Sequence, residues 1–250
     1  LWELMSSVVG RSPAERKAIT VCDSKRLYAP VRGIGVLERT ALPFLDLFPH
    51  VPSSPSKKLS DSTALLRSAM KAAGVEPLSI AVRLLDPAAF NERVGRTGNK
   101  ATLLFDLVAE LIAEIMDGAK GERFFFHIGK QGGKRRYLRD FVRAFPGAGI
   151  LAVEERREES RYRLHASAGE AEIAFLIDGE DRAFLIALAS IVGKYLRELE
   201  MGRFNEFWLA RVKGLRPTSG YLPDADRFLA DIDGAIVSAN LSRDQIVRNR

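Results

Sequence analysis

An α/β fold with a mixed sheet flanked by helices is predicted by three features of the chain. Apolar, strand-like runs cluster at 123–128, 150–153, 161–165 and 171–177. Long stretches with helical spacing surround them, above all Ala101–Met116 and Ile177–Met201. Glycine, proline and charged turns separate the two kinds of segment, as expected where sheet and helix alternate. A helical extension is expected at the C-terminal end.

The 250 residues suffice for one large domain or two small ones, and for a sizeable core. Lys plus Arg number 38 against 32 acids, a formal charge of +6 that leans toward an anionic partner. The single Cys22 excludes an internal disulfide framework and fits a reducing compartment, so a cytoplasmic location is expected. No apolar run reaches the length of a membrane span, and no secretory signal opens the chain. No internal repeat or low-complexity segment is visible.

In chain order, Leu1–Val9 reads as an amphipathic helix that begins without Met, as though cut at its N-terminus. The apolar run Ala18–Cys22 leads into Asp23-Ser24-Lys25, an acceptor, a hydroxyl and a cation in one loop. Gly33–Phe48 resumes helical spacing, and the Pro/Ser-rich His50–Lys58 is the candidate linker. Ser62–Ala73 is expected to be helical, Leu78–Leu85 a strand, and Pro87–Asn91 a turn before the helix Ala101–Met116. Arg123–Ile128, with three consecutive Phe, is a buried-strand candidate that runs into the basic glycine turn Gly129–Lys134. Arg135–Phe145 reads as a basic helix stopped by Pro146-Gly147. The strand series follows, then Ile177–Met201, the loop Lys213–Pro223, and a final helix Asp224–Ile236. The division expected is a main domain over 1–212 and a C-terminal loop with helices over 213–250, packed on it.

Ile177–Met201 holds most of the candidate chemistry. Asp178, Glu180 and Asp181 crowd its entrance, and Ala183, Ala187, Ser190 and Gly193 recur at steps of three or four. That spacing puts small side chains on one helix face, able to lie close against a sheet. Ser190, Lys194 and Arg197 continue along the same side, a hydroxyl and two cations suited to phosphate. The competing reading is plain: acids at a helix start favour its dipole, and small residues pack.

The order of several pieces carries a resemblance. Asp23-Ser24-Lys25 comes first, then an apolar strand and glycine turn ending Gly132-Gly133-Lys134. Glu180 follows, fourteen residues before Lys194, with Ala189-Ser190-Ile191 and Arg197-Glu198 around it. Ser219-Gly220-Tyr221 with Pro223-Asp224 closes the series. In this order the chain resembles ribonuclease HII over nearly its whole length, especially a bacterial branch similar to the eukaryotic ribonuclease H type 2 catalytic subunit. No single motif is specific; their order and spacing carry the likeness.

The resemblance implies a ribonuclease H-like mixed sheet and an endonuclease that hydrolyses RNA–DNA hybrids at ribonucleotides embedded in duplex DNA. Four carboxylates would hold two Mg2+ or Mn2+ ions, about 3.5–4 Å apart, hard cations that need oxygen ligands. Glu180 would be the fourth carboxylate, a catalytic and metal-binding residue. Ser24, Lys25, Ser190, Lys194 and Arg197 would contact the nucleic acid. Tyr221 would pack under the ribose at the junction, an aromatic ring that helps tell RNA from DNA. The alternatives are a helix cap for Glu180, an ion pair for Arg197, and a loop tyrosine packed on its own domain for Tyr221. No obligate protein partner and no membrane are implied.

Two departures change the expectation. The family's first carboxylate pair lies in an Asp-Glu-Ala-Gly segment ahead of Asp-Ser-Lys, and nothing before Asp23 matches it. The third carboxylate would stand where Gly129 stands, while Lys134 keeps the charge of the family's Arg. Glu122 and Asp140 are the nearest acids, both off the expected position. With one ligand of four in place, hydrolysis is expected to be impaired. The alternative is a catalytically degenerate nucleic-acid-binding protein on the same fold. Nothing in the chain suggests zinc, a phosphate loop or a Ser-His-Asp arrangement, and His127 reads as a strand-end histidine.

Overall fold

The computed structural model describes residues 3–10, 57–74, 77–118 and 123–249. The Ala18–Cys22 run, Asp23, Ser24, Lys25, the helix expected over Gly33–Phe48 and most of the candidate linker lie outside them. Among the described residues the elements run β1 (Glu3–Gly10), α1 (Lys57–Ala72), β2 (Pro77–Leu85), α2 (Pro87–Thr97) and α3 (Lys100–Gly118). Then come β3 (Arg123–Gly129), α4 (Leu138–Ala144), β4 (Gly149–Glu155), β5 (Glu159–Ala166) and β6 (Gly169–Leu176). The chain ends with α5 (Gly179–Arg182), α6 (Phe184–Leu209), α7 (Asp224–Ser238) and α8 (Arg243–Ile246).

A four-stranded mixed sheet, in the order β3-β6-β5-β4, forms the centre. β4, β5 and β6 are an antiparallel meander, whereas β3 lies parallel to β6 with Gly129 opposite Leu176. β1 and β2 pair antiparallel as a separate two-stranded sheet. The fold is therefore α/β with a mixed sheet flanked by helices.

The strands alternate because one face is covered. On β5, Tyr162 and Leu164 point into the core while Arg161 and Arg163 stay exposed, the period-two pattern of a half-buried strand. Phe105, Val108 and Ile112 of α3 and Phe141 of α4 pack on that face with Phe175 and Ile173 of β6. Tyr137 stacks flat on Phe175, centroids 3.8 Å apart, and its backbone N–H donates to the Tyr162 hydroxyl at 2.8 Å. The Tyr137 hydroxyl accepts from the Gln131 N–H and donates to the Lys134 carbonyl. A buried ring thus holds the glycine turn that follows β3.

Four expectations need correction. The described part of Leu1–Val9 is a strand, not a helix: residues 3–10 pair along β2. Pro87–Asn91 opens helix α2 instead of making a turn. Asp86 is its N-cap, its side chain accepts from the Ala89 N–H at 2.8 Å, and Pro87 sits where a missing N–H costs nothing. The basic helix begins only at Leu138, because residues 134–137 run irregularly toward the buried Tyr137. The linker's last two residues also belong to α1.

A second core lies under the C-terminal helices. Phe204, Phe207 and Trp208 at the end of α6 pack with Phe228, Leu229 and Ile232 of α7 and with Ile246 of α8. α6 therefore runs from the strand ends at its start to the C-terminal helices at its finish, and also packs alongside β1.

Candidate nucleic-acid interface

Because β3 and β6 are parallel, their carboxyl ends lie side by side, and the Lys130 N–H extends the ladder to the Leu176 carbonyl at 2.9 Å. The chain then turns through Ile177 and Asp178 into α5. Asp178 takes the left-handed conformation, φ 49°, which short polar residues tolerate best. Its side chain makes no cap hydrogen bond, and Glu180 lies in the first turn of α5, exposed. The predicted single helix is broken at Ala183, which is extended between α5 and α6.

Gly179 explains how the strand ends pack so closely. A Cβ there would lie 2.7 Å from Ile186 Cδ1, 3.2 Å from its Cγ2 and 3.7 Å from Gly129 Cα. The first two spacings are short, so a Cβ here requires the Ile186 side chain to shift beside the strand end. Gly179→Ala is expected to cost roughly 1–3 kcal/mol by overpacking, read as a lower denaturation midpoint. A melt indistinguishable from the parent would show that Ile186 simply moves aside. Position 129 is different: a Cβ there would meet only Ile186 Cγ2, at 4.0 Å.

From this junction α6 carries Ser190, Lys194 and Arg197 along one side, spaced by about one helical turn. Ser190 is half-buried and Lys194 exposed. The Arg197 guanidinium ion-pairs with Glu198 at 2.8 Å, donates to the Ser219 carbonyl at 2.6 Å, and lies 4.2 Å from the Tyr221 ring centroid. The ion-pair alternative for Arg197 is thus present, together with its contacts to the Ser219–Tyr221 loop. Tyr221 is not packed into its own domain: it is 62% exposed, with Arg197 against its ring. The structure brings Arg197 and Tyr221 into contact and sets Lys194 and Ser190 on the turns before them.

The loop that presents Tyr221 is anchored by Asp224 and by three residues without a sequence signal, Asn205, Thr218 and Arg227. The Asn205 side chain bonds both the N–H and the carbonyl of Thr218 at 2.8 Å. Asp224 accepts from the Thr218 hydroxyl at 2.6 Å and the Ser219 N–H at 3.1 Å, and Arg227 holds its other oxygen. The Thr218 hydroxyl, followed by Arg227 and the Ser219 N–H, draws the Asp224 carboxyl down to about 2. The sign follows: a depressed carboxylate stabilises the fold above its ordinary range, and that contribution fades as pH falls toward 2. Between pH 5 and 2 the midpoint of Asp224→Ala should therefore converge on that of the parent chain. Parallel curves would rule the anchor out. The sequence offered one signal for it, an acid directly after Pro223.

Lys134, which keeps the charge of the family's Arg in the resemblance, turns inward. It pairs with Asp140 at 2.8 Å and lies over the rings of Tyr137 and Phe105. His127 is on β3, exposed. Arg143 of the basic helix pairs with Asp106 at 2.5 Å, so that helix is tied to α3 instead of presenting a bare charge run.

The described residues do not fit a two-metal centre. Gly129 supplies no donor atom, and among the described residues no three acid, histidine or cysteine side chains are grouped to hold an ion. Among the described residues, no helix is long and apolar enough to cross a membrane. Comparison with protein-family models, curated proteins and solved structures finds no match for this chain.

Proposed function

We propose that this chain recognises RNA–DNA hybrid or duplex DNA carrying embedded ribonucleotides, in the manner of ribonuclease HII, and is impaired in hydrolysis as written. The observation that carries the reading is the exposed Tyr221 ring backed by Arg197, continued by Lys194 and Ser190 along α6. An aromatic face suits a sugar or base, and the neighbouring cation suits phosphate. The helix that carries the row starts near the carboxyl ends of two parallel strands, a place where open α/β sheets commonly bind ligands. The net charge of +6 agrees in sign with an anionic partner.

By the same reading, Ser24 and Lys25 add phosphate contacts and Glu180 stands as the remaining carboxylate. Hydrolysis by two Mg2+ or Mn2+ ions would need acids that the described residues lack, and no step is assigned to Glu180. The deciding assay uses a labelled duplex with one ribonucleotide, in Mg2+ and separately in Mn2+. Binding without cleavage, unchanged in Glu180→Ala, is the expected outcome. Cleavage lost in Glu180→Ala would identify a working endonuclease instead, and absence of binding would end the proposal. Gly129→Asp should fold normally, given the space beside position 129, and offers a way to rebuild one missing ligand.

A further inference from the structure

A cleft of about 570 Å³ opens beside the Tyr221 loop, with Gly220 and Leu222, the residues on either side of Tyr221, in its wall. Apolar side chains line it as well, with Leu222 exposed, Ala225 and Val247 half-buried, and Phe204 and Phe228 almost wholly buried. Three cations from separate parts of the chain line it: Lys100 at the start of α3, Arg243 in α8, and Arg248. Asp226 is the one carboxylate among the lining residues. Cations beside apolar side chains match a nucleotide, whose phosphate is charged and whose sugar and base are not.

The cleft is also held in shape. Asn91 of α2 donates to the carbonyls of Asp244 and Val247, each at 2.8 Å, and accepts from the Asn249 N–H at 2.7 Å. The opposite wall is the loop fixed by Asn205 and Asp224. A binding surface fixed before the ligand arrives loses less entropy on association.

We infer that this cleft takes the nucleotide next to the one that meets Tyr221, with its phosphate on Arg243 and Arg248. The assignment rests on the nucleic-acid reading of Tyr221 and deepens it. The strand would pass over the ring, beside the exposed Leu222, and its next phosphodiester would settle on the two arginines. The Arg243 and Arg248 contacts reach the phosphate alone, so they raise affinity for all duplexes equally and leave ribonucleotide preference to Tyr221.

The test uses the full chain and three variants: Arg243→Gln, Arg248→Gln and the pair together. Fluorescence anisotropy measures affinity for a duplex with one ribonucleotide and for the all-DNA duplex, across a salt series. Thymidine 3′,5′-bisphosphate is titrated separately by calorimetry. The double variant should lose affinity for both duplexes by the same factor, on the order of tenfold at low salt. The slope of log affinity against log salt should flatten by about 1, since the two arginines share one phosphate and each phosphate neutralised contributes about 0.9. If the parent binds duplex and the double variant matches it in affinity and slope, the cleft is not a contact and the Tyr221 reading stands alone. If no duplex is bound yet the bisphosphate is, and its binding is lost in the double variant, the cleft stands as a nucleotide site and the duplex reading falls. If neither is bound, both fall. Thermal melts accompany each variant, and Arg243→Gln alone serves if the Arg248 change, which removes a guanidinium lying 5.0 Å from the Phe90 ring centroid, unfolds the chain.

Discussion

Replacing Phe175 with alanine is expected to lower the free energy of unfolding by roughly 3–5 kcal/mol, the range for truncating a buried phenylalanine. Phe175 is fully buried in β6. It stacks on Tyr137 and lies within 6.5 Å, centroid to centroid, of Phe105, Phe141 and Tyr162. The side chain is rigid and surrounded by rings, so its neighbours cannot collapse far into the space it leaves. For a chain of this length each kcal/mol moves the melting temperature by about 2–4 °C, which puts the expected drop on the order of 10 °C. A loss under about 1 kcal/mol would mean that the aromatic cluster is not the centre of the core. The effect should reach the surface as well, because Tyr137 holds the glycine turn through its hydroxyl. Faster hydrogen exchange at the Gln131 amide would report it.

Tyr221→Ala is expected to erase the distinction between a duplex with one ribonucleotide and the same duplex in all-DNA form. Ring stacking of this kind contributes about 1–3 kcal/mol, so affinity for the ribonucleotide duplex should fall roughly tenfold or more. Affinity for the all-DNA duplex should fall less. The ring is exposed and Arg197 keeps its bonds to Glu198 and the Ser219 carbonyl, so stability should barely change. That separation makes the variant informative. An unchanged preference would remove Tyr221 from the recognition role, while an equal loss on both duplexes would make it a general contact. Tyr221→Phe keeps the ring over Arg197 and tests the hydroxyl alone.

Local signals were enough for much of the chain. The strands over 149–176 stand within a residue or two of the runs read from sequence, because alternation on β5 and β6 and the turns between them are nearest-neighbour properties. Helix α3 was legible for the same reason, its apolar face recurring at helical spacing. That Ser190, Lys194 and Arg197 share one side of a helix was legible too, since they recur at steps of three or four. At Pro87 the local signal existed and was misread: Asp before Pro is as good a helix entrance as a turn.

Elsewhere the deciding contact lay far off in the chain. Residues 3–10 satisfy helix and strand spacing alike, and only pairing with β2, some seventy residues later, selects the strand. Ile177–Met201 has helical spacing throughout, yet it breaks at Ala183, with Ile186 packed against Gly179 beside the end of β3. Arg197 looked like a phosphate ligand on its own helix, and the loop at Ser219–Tyr221, more than twenty residues on, made it a support for an aromatic ring as well.

The sequence by itself determined the α/β class, the alternation of the central strands and the identity of the cations on α6. All of these follow from periodicity and residue chemistry within one segment. Tertiary structure alone decided that Gly129 and the Asp178–Glu180 turn share one sheet end. It also decided that Tyr221 meets Arg197, and that Arg243, Arg248 and Lys100 line a single cleft. The reason is physical: parallel pairing of β3 with β6 and the docking of α7 and α8 on α6 join residues that no local spacing relates.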